Sequence, residues 1–272
     1  MNRNHNPLIL TFDIDGLYSD EVAQTTKILS ILSKRNAFAT FFITALHAQK
    51  HPELIDAILD QEHEVACHGY NHTTLADFSS EAFSASLKKA TTKLQGIARK
   101  EIVGFRAPNF LIPRWAPKVL HSLGYKYDSS VQPSIPVPRW YGAPRAPLYP
   151  YCPSLENIYV KSDENHAFME FPLAVFPRLR IPFGGWWARN LGLMWAKNAL
   201  KKLMEKGAAT LHFHPWEFEE KSLLTGMEQL HSFEKTLWFR NVGSHMYNVL
   251  EDILEGISSE KISIEMALKR DL

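Results

Sequence analysis

The 272 residues carry 30 Lys and Arg against 29 Asp and Glu, a formal charge of +1, with 45% apolar and 22% charged side chains. That balance excludes a disordered chain and, with no Lys/Arg block, provides neither the electrostatic footprint of a nucleic-acid binder nor a polybasic membrane patch. No apolar run approaches the roughly 18 residues that span a bilayer, and Leu8 to Phe12 is too short for a secretory h-region. The expectation is therefore a cytoplasmic chain with no transmembrane segment, with Cys67 and Cys152 as free thiols.

Short β-rich runs alternate with amphipathic helical stretches, the pattern of a parallel sheet with crossover helices, so the class is α/β. Leu8 to Phe12 reads as a buried strand and Ser19 to Lys34 as a helix with Val22, Leu29 and Leu32 on one face. Ala39 to Ile43 is the next strand, followed by a helix from Pro52 to Gln61 and the strand Glu64 to Cys67. Ser79 to Gly96 repeats Phe83, Leu87, Ala90 and Leu94 along one helical face, and Ile102 to Phe105 is the strand after it. Trp115 to Leu123 is a short helix capped by Gly124, and Tyr125 to Tyr127 continues as strand. Seven of the sixteen prolines fall between Pro133 and Pro153, which predicts a stiff surface loop around 131–155. Phe168 to Phe176 reads as further sheet, Asn190 to Lys206 as a helix packed on it, Ala209 to Phe213 as a last strand and Ser244 to Glu255 as a closing helix. With no repeat or composition shift, residues 1–272 form one domain in this reading, either an α/β barrel or an open doubly wound sheet.

Reactive side chains gather at the ends of these strands. Asp13 and Asp15 flank Ile14, and strand alternation sends both carboxylates to one side, where like charges call for a cation or a shared proton. His68 and His72 are four apart, a spacing that lets both imidazoles reach one metal from a helical turn. His47 and His51 have the same spacing but flank a polar stretch, and are expected to be solvated surface. Arg106, Asp128 and the pair His212 and His214 follow three further strands, the place where an α/β active site is assembled.

In order, Thr11-Phe12-Asp13-Ile14-Asp15-Gly16, His68-Gly69-Tyr70-Asn71-His72, Arg106-Ala107-Pro108-Asn109-Phe110, Tyr127-Asp128-Ser129-Ser130 and Leu211-His212-Phe213-His214-Pro215-Trp216-Glu217 resemble the five successive motifs of the polysaccharide deacetylases, the NodB-homology domain of carbohydrate esterase family four. The branch concerned with exopolysaccharide or glycan assembly is similar also in its His-Pro-Trp-Glu-Phe ending and in a segment like Gly184-Gly185-Trp186-Trp187-Ala188-Arg189.

The resemblance implies a distorted (β/α) barrel and a divalent cation, commonly zinc, held by Asp15, His68 and His72. It further implies Asp13 as general base, Arg106 holding that base, His214 as general acid oriented by Asp128, and an oxyanion donor in the backbone near Asn109. Ile14 separates two aspartates that most members place side by side, so base and ligand are not told apart by position. His212, on the same strand face as His214, competes for the acid role, and the fourth motif lacks the tryptophan often found there. The expected activity is metal-dependent removal of an N-acetyl group from an amino sugar or glycan intermediate, lipid-linked or nucleotide-linked. Trp186 and Trp187 would form a sugar platform, and Arg189 would contact a phosphate. A related C–N hydrolase, deformylase or cyclic amidase, and a non-catalytic glycan-binding module are the alternatives.

Overall fold

The computed structural model describes residues 6–137, 141–164, 166–226 and 231–270. The first half of the chain follows the expected alternation: β1 (Leu8–Ile14), α1 (Val22–Lys34), β2 (Thr40–Ile43), α2 (Ala45–Lys50), α3 (Pro52–Leu59), β3 (Glu64–Cys67), α4 (Ser80–Ala98), β4 (Gly104–Phe105), α5 (Ala116–Ser122) and β5 (Tyr127–Asp128). An antiparallel ribbon of β6 (Pro153–Ser154) and β7 (Asn157–Lys161) precedes β8 (Met169–Glu170), α6 (Gly185–Leu191), α7 (Leu193–Met204) and β9 (Ala209–Phe213). The chain then runs through α8 (Ser232–Trp238), α9 (His245–Gly256), β10 (Lys261–Ile262) and α10 (Ile264–Leu268).

The main sheet is parallel throughout, with β1 between β2 and β9 and the path continuing through β3, β4 and β5 to β8. A single parallel bridge, Leu173 to Thr210, returns the segment after β8 to β9 and closes the curl into a distorted barrel. Alternation along β1 divides its side chains. Leu8, Leu10, Phe12 and Ile14 pack outward in the main core beneath the helices, with Phe12 stacked on Phe41 at 5.1 Å and on Phe213 at 5.9 Å. Ile9 belongs instead to the inner cluster with Phe42, Ala66, Tyr127 and Phe171. The lumen-facing series Ile9, Thr11, Asp13 and Asp15 therefore climbs from an apolar floor to a polar mouth.

Several elements differ from the sequence expectation. Helix α1 starts three residues late because Glu21 adopts a left-handed φ of 57° and turns its carboxylate back to the Gly16 amide at 2.6 Å. The stretch around His47 is helical, as α2. Gly192, at φ 92°, divides the expected 190–206 helix into α6 and α7. The regular strand after α5 is Tyr127–Asp128, and the 168–176 run keeps only Met169–Glu170 as strand, with isolated bridges at Leu173 and Val175. The proline-rich stretch contains no helix among its described residues, residues 138–140 lying outside them, and ends in the edge strand β6, where a missing N–H is tolerated.

Strand β10 pairs with the lower end of β1, and α10 behind it is tied to the floor by a buried carboxylate. Glu64 accepts hydrogen bonds from Thr40 Oγ1 at 2.6 Å, Tyr127 OH at 2.8 Å and the Glu265 amide at 2.9 Å. Burial pushes this carboxyl up to about 7 despite those donors. The native fold then holds the proton more tightly than the unfolded chain does, so the stabilisation is complete below the ordinary value of 4.5 and is lost as pH rises through 7. Glu64→Gln cannot ionise and keeps a carbonyl acceptor. Its melting temperature relative to wild type is expected to rise between pH 5 and pH 8 by the equivalent of about 2–3 kcal/mol, read from thermal melts across that range.

Candidate active site

At the mouth, Asp15 Oδ1 lies 3.2 Å from His68 Nε2 and 3.4 Å from His72 Nε2, and the three ligand atoms all fall within 4.8 Å of one another. His68 directly follows β3. His72 comes back toward it from a turn rather than a helix, with Gly69 and His72 both at positive φ. His68 Nδ1 meets the Arg106 carbonyl at 2.9 Å, and a carbonyl only accepts, so this nitrogen carries a proton and Nε2, the nitrogen facing Asp15, is the one that could bind a cation. Asp15 Oδ1 is buried without a hydrogen-bond partner. Electron pairs from three donors thus converge where only positive charge is favourable, and the set can hold a divalent cation. Burial alone would raise Asp15, but His72 and His68 hold it well below the carboxylate range. Burial would lower His68, yet Asp15, Asp13 and the Arg106 carbonyl raise it.

Asp13 sits one strand repeat deeper. Its Oδ1 accepts from Arg106 Nη1 at 2.6 Å, while Oδ2 is buried with no partner. The fully buried Arg106 also donates to Thr11 Oγ1 at 2.9 Å, to the Ser129 carbonyl at 2.7 Å and to Ser129 Oγ at 2.7 Å, and lies 4.1 Å above the Phe42 ring. Burial pushes Asp13 up, but Arg106 and the nearby imidazoles outweigh it, leaving an ionised carboxylate with one free oxygen.

Strand β9 sends His212 and His214 to the same pocket. His214 Nε2 is 3.9 Å from Asp15 Oδ2, and its Nδ1 is backed by Glu217 Oε2 at 3.8 Å. Glu217 also accepts the His214 backbone amide at 3.0 Å and is ion-paired with Arg189. The two glycines before Trp186 make room for this arrangement: a Cβ on Gly184 would stand 2.3 Å from the His212 ring, and one on Gly185 would stand 2.0 Å from the Glu217 carboxylate. His212 has no such carboxylate. Phe110 packs on its ring at 5.1 Å, Nδ1 is buried without a partner, and burial pulls the imidazole down to about 3.

Two expected roles are corrected. Asp128 does not orient His214: its oxygens take the Ser130 amide and hydroxyl, both at 2.8 Å, and it lies beside Glu170, its register partner on β8. Both carboxyls are raised, by burial first, so this pair serves the barrel wall. Arg189 is not available to a phosphate either. Its side chain is fully buried, and besides Glu217 it donates to the Trp238 and Arg240 carbonyls. His47 is likewise not solvated surface: it is 5% exposed, lies against Gly16, and is drawn by burial down to about 4.

Trp186 and Trp187 line the pocket, as does Asn109, which stands at φ 58° in the turn after β4 and donates to Thr74 Oγ1 at 3.2 Å. Two functional carboxylates went unassigned in the sequence. Glu217 stands in the fifth motif, three residues after His214, a spacing that signals a cap on the turn it starts. Glu21 is buried and accepts the amides of Gly16 at 2.6 Å and Trp216 at 3.2 Å, which ties the first motif to the fifth. It lies outside every motif, and the sequence holds no signal for it.

Residues 1–127 match the polysaccharide deacetylase family, and residues 129–255 match a domain of unknown function (DUF3473). Residues 1–127 of the chain belong to the polysaccharide deacetylase family. A peptidoglycan-N-acetylglucosamine deacetylase of Bacillus cereus is 29% identical over 142 residues, covering 51% of this chain and 48% of that protein. A chitooligosaccharide deacetylase of Rhizobium leguminosarum bv. trifolii is 34% identical over 82 residues, 30% of this chain and 36% of that protein. The chain spans about half the length of the curated relatives it matches. Among solved structures, a Mycobacterium smegmatis protein assigned as a polysaccharide deacetylase superposes with a TM-score of 0.68 at 18% identity, over 99% of this chain and 91% of that one. A CE4 family pseudoenzyme from Bacillus anthracis gives a TM-score of 0.56 at 14% identity, over 97% of this chain and 66% of that one. At these identities the likeness is one of fold.

Glu217→Gln keeps the shape of the brace behind His214 and removes its charge, leaving Arg189 buried and unpaired at a cost of about 3 kcal/mol. A lowered melting temperature is expected, with partial recovery in Glu217→Gln/Arg189→Met. An unchanged melting temperature in the single variant would show that the pair does not act as a buried unit.

Proposed function

We propose that the protein is a metal-dependent hydrolase that removes the N-acetyl group from an amino sugar. The observation that carries this reading is the convergence of Asp15, His68 and His72 beside a second, ionised carboxylate, Asp13, whose free oxygen faces the same pocket. The named activities of the relatives, on peptidoglycan and on chitooligosaccharide, support an N-acetylated sugar as the substrate class. A divalent cation held by Asp15, His68 and His72, zinc being suited to two imidazoles and a carboxylate, would supply Lewis acidity toward the amide carbonyl and water.

The chain's own groups divide the remaining work. Asp13 Oδ2 takes a proton from the attacking water, and Arg106 keeps Asp13 ionised and fixed while it does so. The backbone at Asn109, at the rim of the pocket, is suited to offer an N–H to the oxygen that gains charge at the acyl carbon. The water oxygen joins the acyl carbon, the carbon–nitrogen bond breaks, and His214 protonates the departing amine. We assign the acid to His214 rather than His212 because only His214 has a carboxylate, Glu217, behind its ring. Burial lowers both imidazoles, and it pulls His212, with no carboxylate behind it, down to about 3.

Asp13→Asn is expected to retain metal while acetate release from N-acetylated sugars falls by about a thousandfold, and His68→Ala to lose both metal and turnover. Elemental analysis of the purified variants with an acetate assay measures this. Loss of metal in Asp13→Asn would exchange the roles of the two aspartates. Formate or ring-opened product in place of acetate would move the activity to another C–N bond.

A further inference from the structure

The aromatic side chains around the metal-binding set form a collar that is closed on one side and open on the other. Beside β4, Phe110 packs edge-on to Tyr141 at 6.0 Å, the Trp187 indole reaches the Tyr141 hydroxyl, and Trp187 meets Trp186 at 4.8 Å. The Trp186 N–H is pinned to the Leu237 carbonyl at 2.9 Å, which joins this wall to the segment carrying Phe239. Phe239 in turn packs on Trp216 at 5.4 Å and on Tyr18 at 5.0 Å, beside β1. All of these side chains line the pocket that contains Asp13, Asp15 and His214. Among the described residues these contacts run past β5, β8 and β9 to β1. The side over β2 and β3 adds only His68 and His72 to the lining, and the exposed Asn109, after β4, and Leu17, 40% exposed after β1, stand at its two edges.

A site that serves the interior of a polymer needs a groove open at two opposite ends, so that sugar units continue past the reacting one in both directions. This site is a dead end. The geometry points to a substrate that enters through the gap over β2 and β3 and stops against the Trp186 and Trp187 wall: a chain-terminal or single N-acyl amino sugar, bound end-on. This inference rests on the deacetylase reading above. The wall suits a neutral ring, whose C–H faces stack on indole. Arg189, the one arginine lining the pocket among the described residues, is already bonded to a buried carboxylate, which leaves no guanidinium there for a phosphate.

The test uses N-acetylglucosamine oligomers from the dimer to the hexamer, labelled at the reducing end, with the metal-loaded protein. Acetate is counted per chain, and the position of each free amine is read by mass spectrometry. A single acetate per chain, lost from one terminus at every length, is expected, and free amines at internal units would overturn the inference alone. Trp187→Ala and Tyr141→Ala breach the closed side, so internal free amines are expected to appear in variants whose melting temperature is kept. Terminal-only products from both folded variants would show that the wall does not set the position, and would overturn the inference. Should no oligomer release acetate, the deacetylase reading falls, and tryptophan fluorescence titration with the same oligomers decides the pocket by itself. Affinity independent of length supports a terminal pocket, and affinity that climbs with each added unit overturns it.

Discussion

The site depends on one buried cation, the Arg106 guanidinium. A charge taken out of water costs several kcal/mol unless its hydrogen-bonding capacity is used, and here Asp13, Thr11 and both polar groups of Ser129 use it while Phe42 covers its face. These partners come from β1 and from the turn after β5, and the Arg106 carbonyl fixes the tautomer of His68 after β3. One residue therefore sets the ionisation of Asp13 and the proton position on His68, one of the three clustered side chains. The barrel wall and the polar site are parts of one hydrogen-bonded framework, in which a shift at any strand end would be felt by the others.

The two matched stretches of the chain contribute unlike things. Residues up to 127 supply the two aspartates, the two clustered histidines and Arg106, the polar half of the site. The stretch from 129 to 255 supplies His214 with its Glu217 brace, together with Trp186, Trp187 and Phe239. Neither stretch holds a complete set. Glu21 ties them at the mouth by accepting an amide from the Asp15 turn and another from the Trp216 turn, so the spacing between Asp15 and His214 is fixed by a side chain outside every motif.

Much of the fold was legible because its signals are local. The unbroken apolar run of β1, the four-three-four spacing on α4 and the glycine after α5 each depend on neighbours in the sequence. The five strand ends were legible for the same reason, since alternation alone places Asp13, Asp15 and His214 at the lumen mouth. What escaped depends on partners distant in sequence. Asp128 follows a strand as a functional residue would, but its oxygens are taken by Ser130 and its register neighbour on β8 is the buried Glu170, which places it in the barrel wall rather than behind a histidine. Arg189 reads as a free basic group until Glu217 comes back against it from β9. His47 reads as polar surface until Gly16, lacking a Cβ, lets its ring pack beneath the Asp15 turn.

The pairing of β1 has a consequence for how the chain is made. This strand, buried along its whole length, is flanked by β9 and by β10, which are translated long after it. A nascent chain leaving the ribosome thus exposes an apolar strand with an unfilled edge for most of its synthesis, and the last partner arrives only with residues 261–262. Packing of β1 against α1 and β2, both made soon after it, covers part of that strand before β9 and β10 arrive.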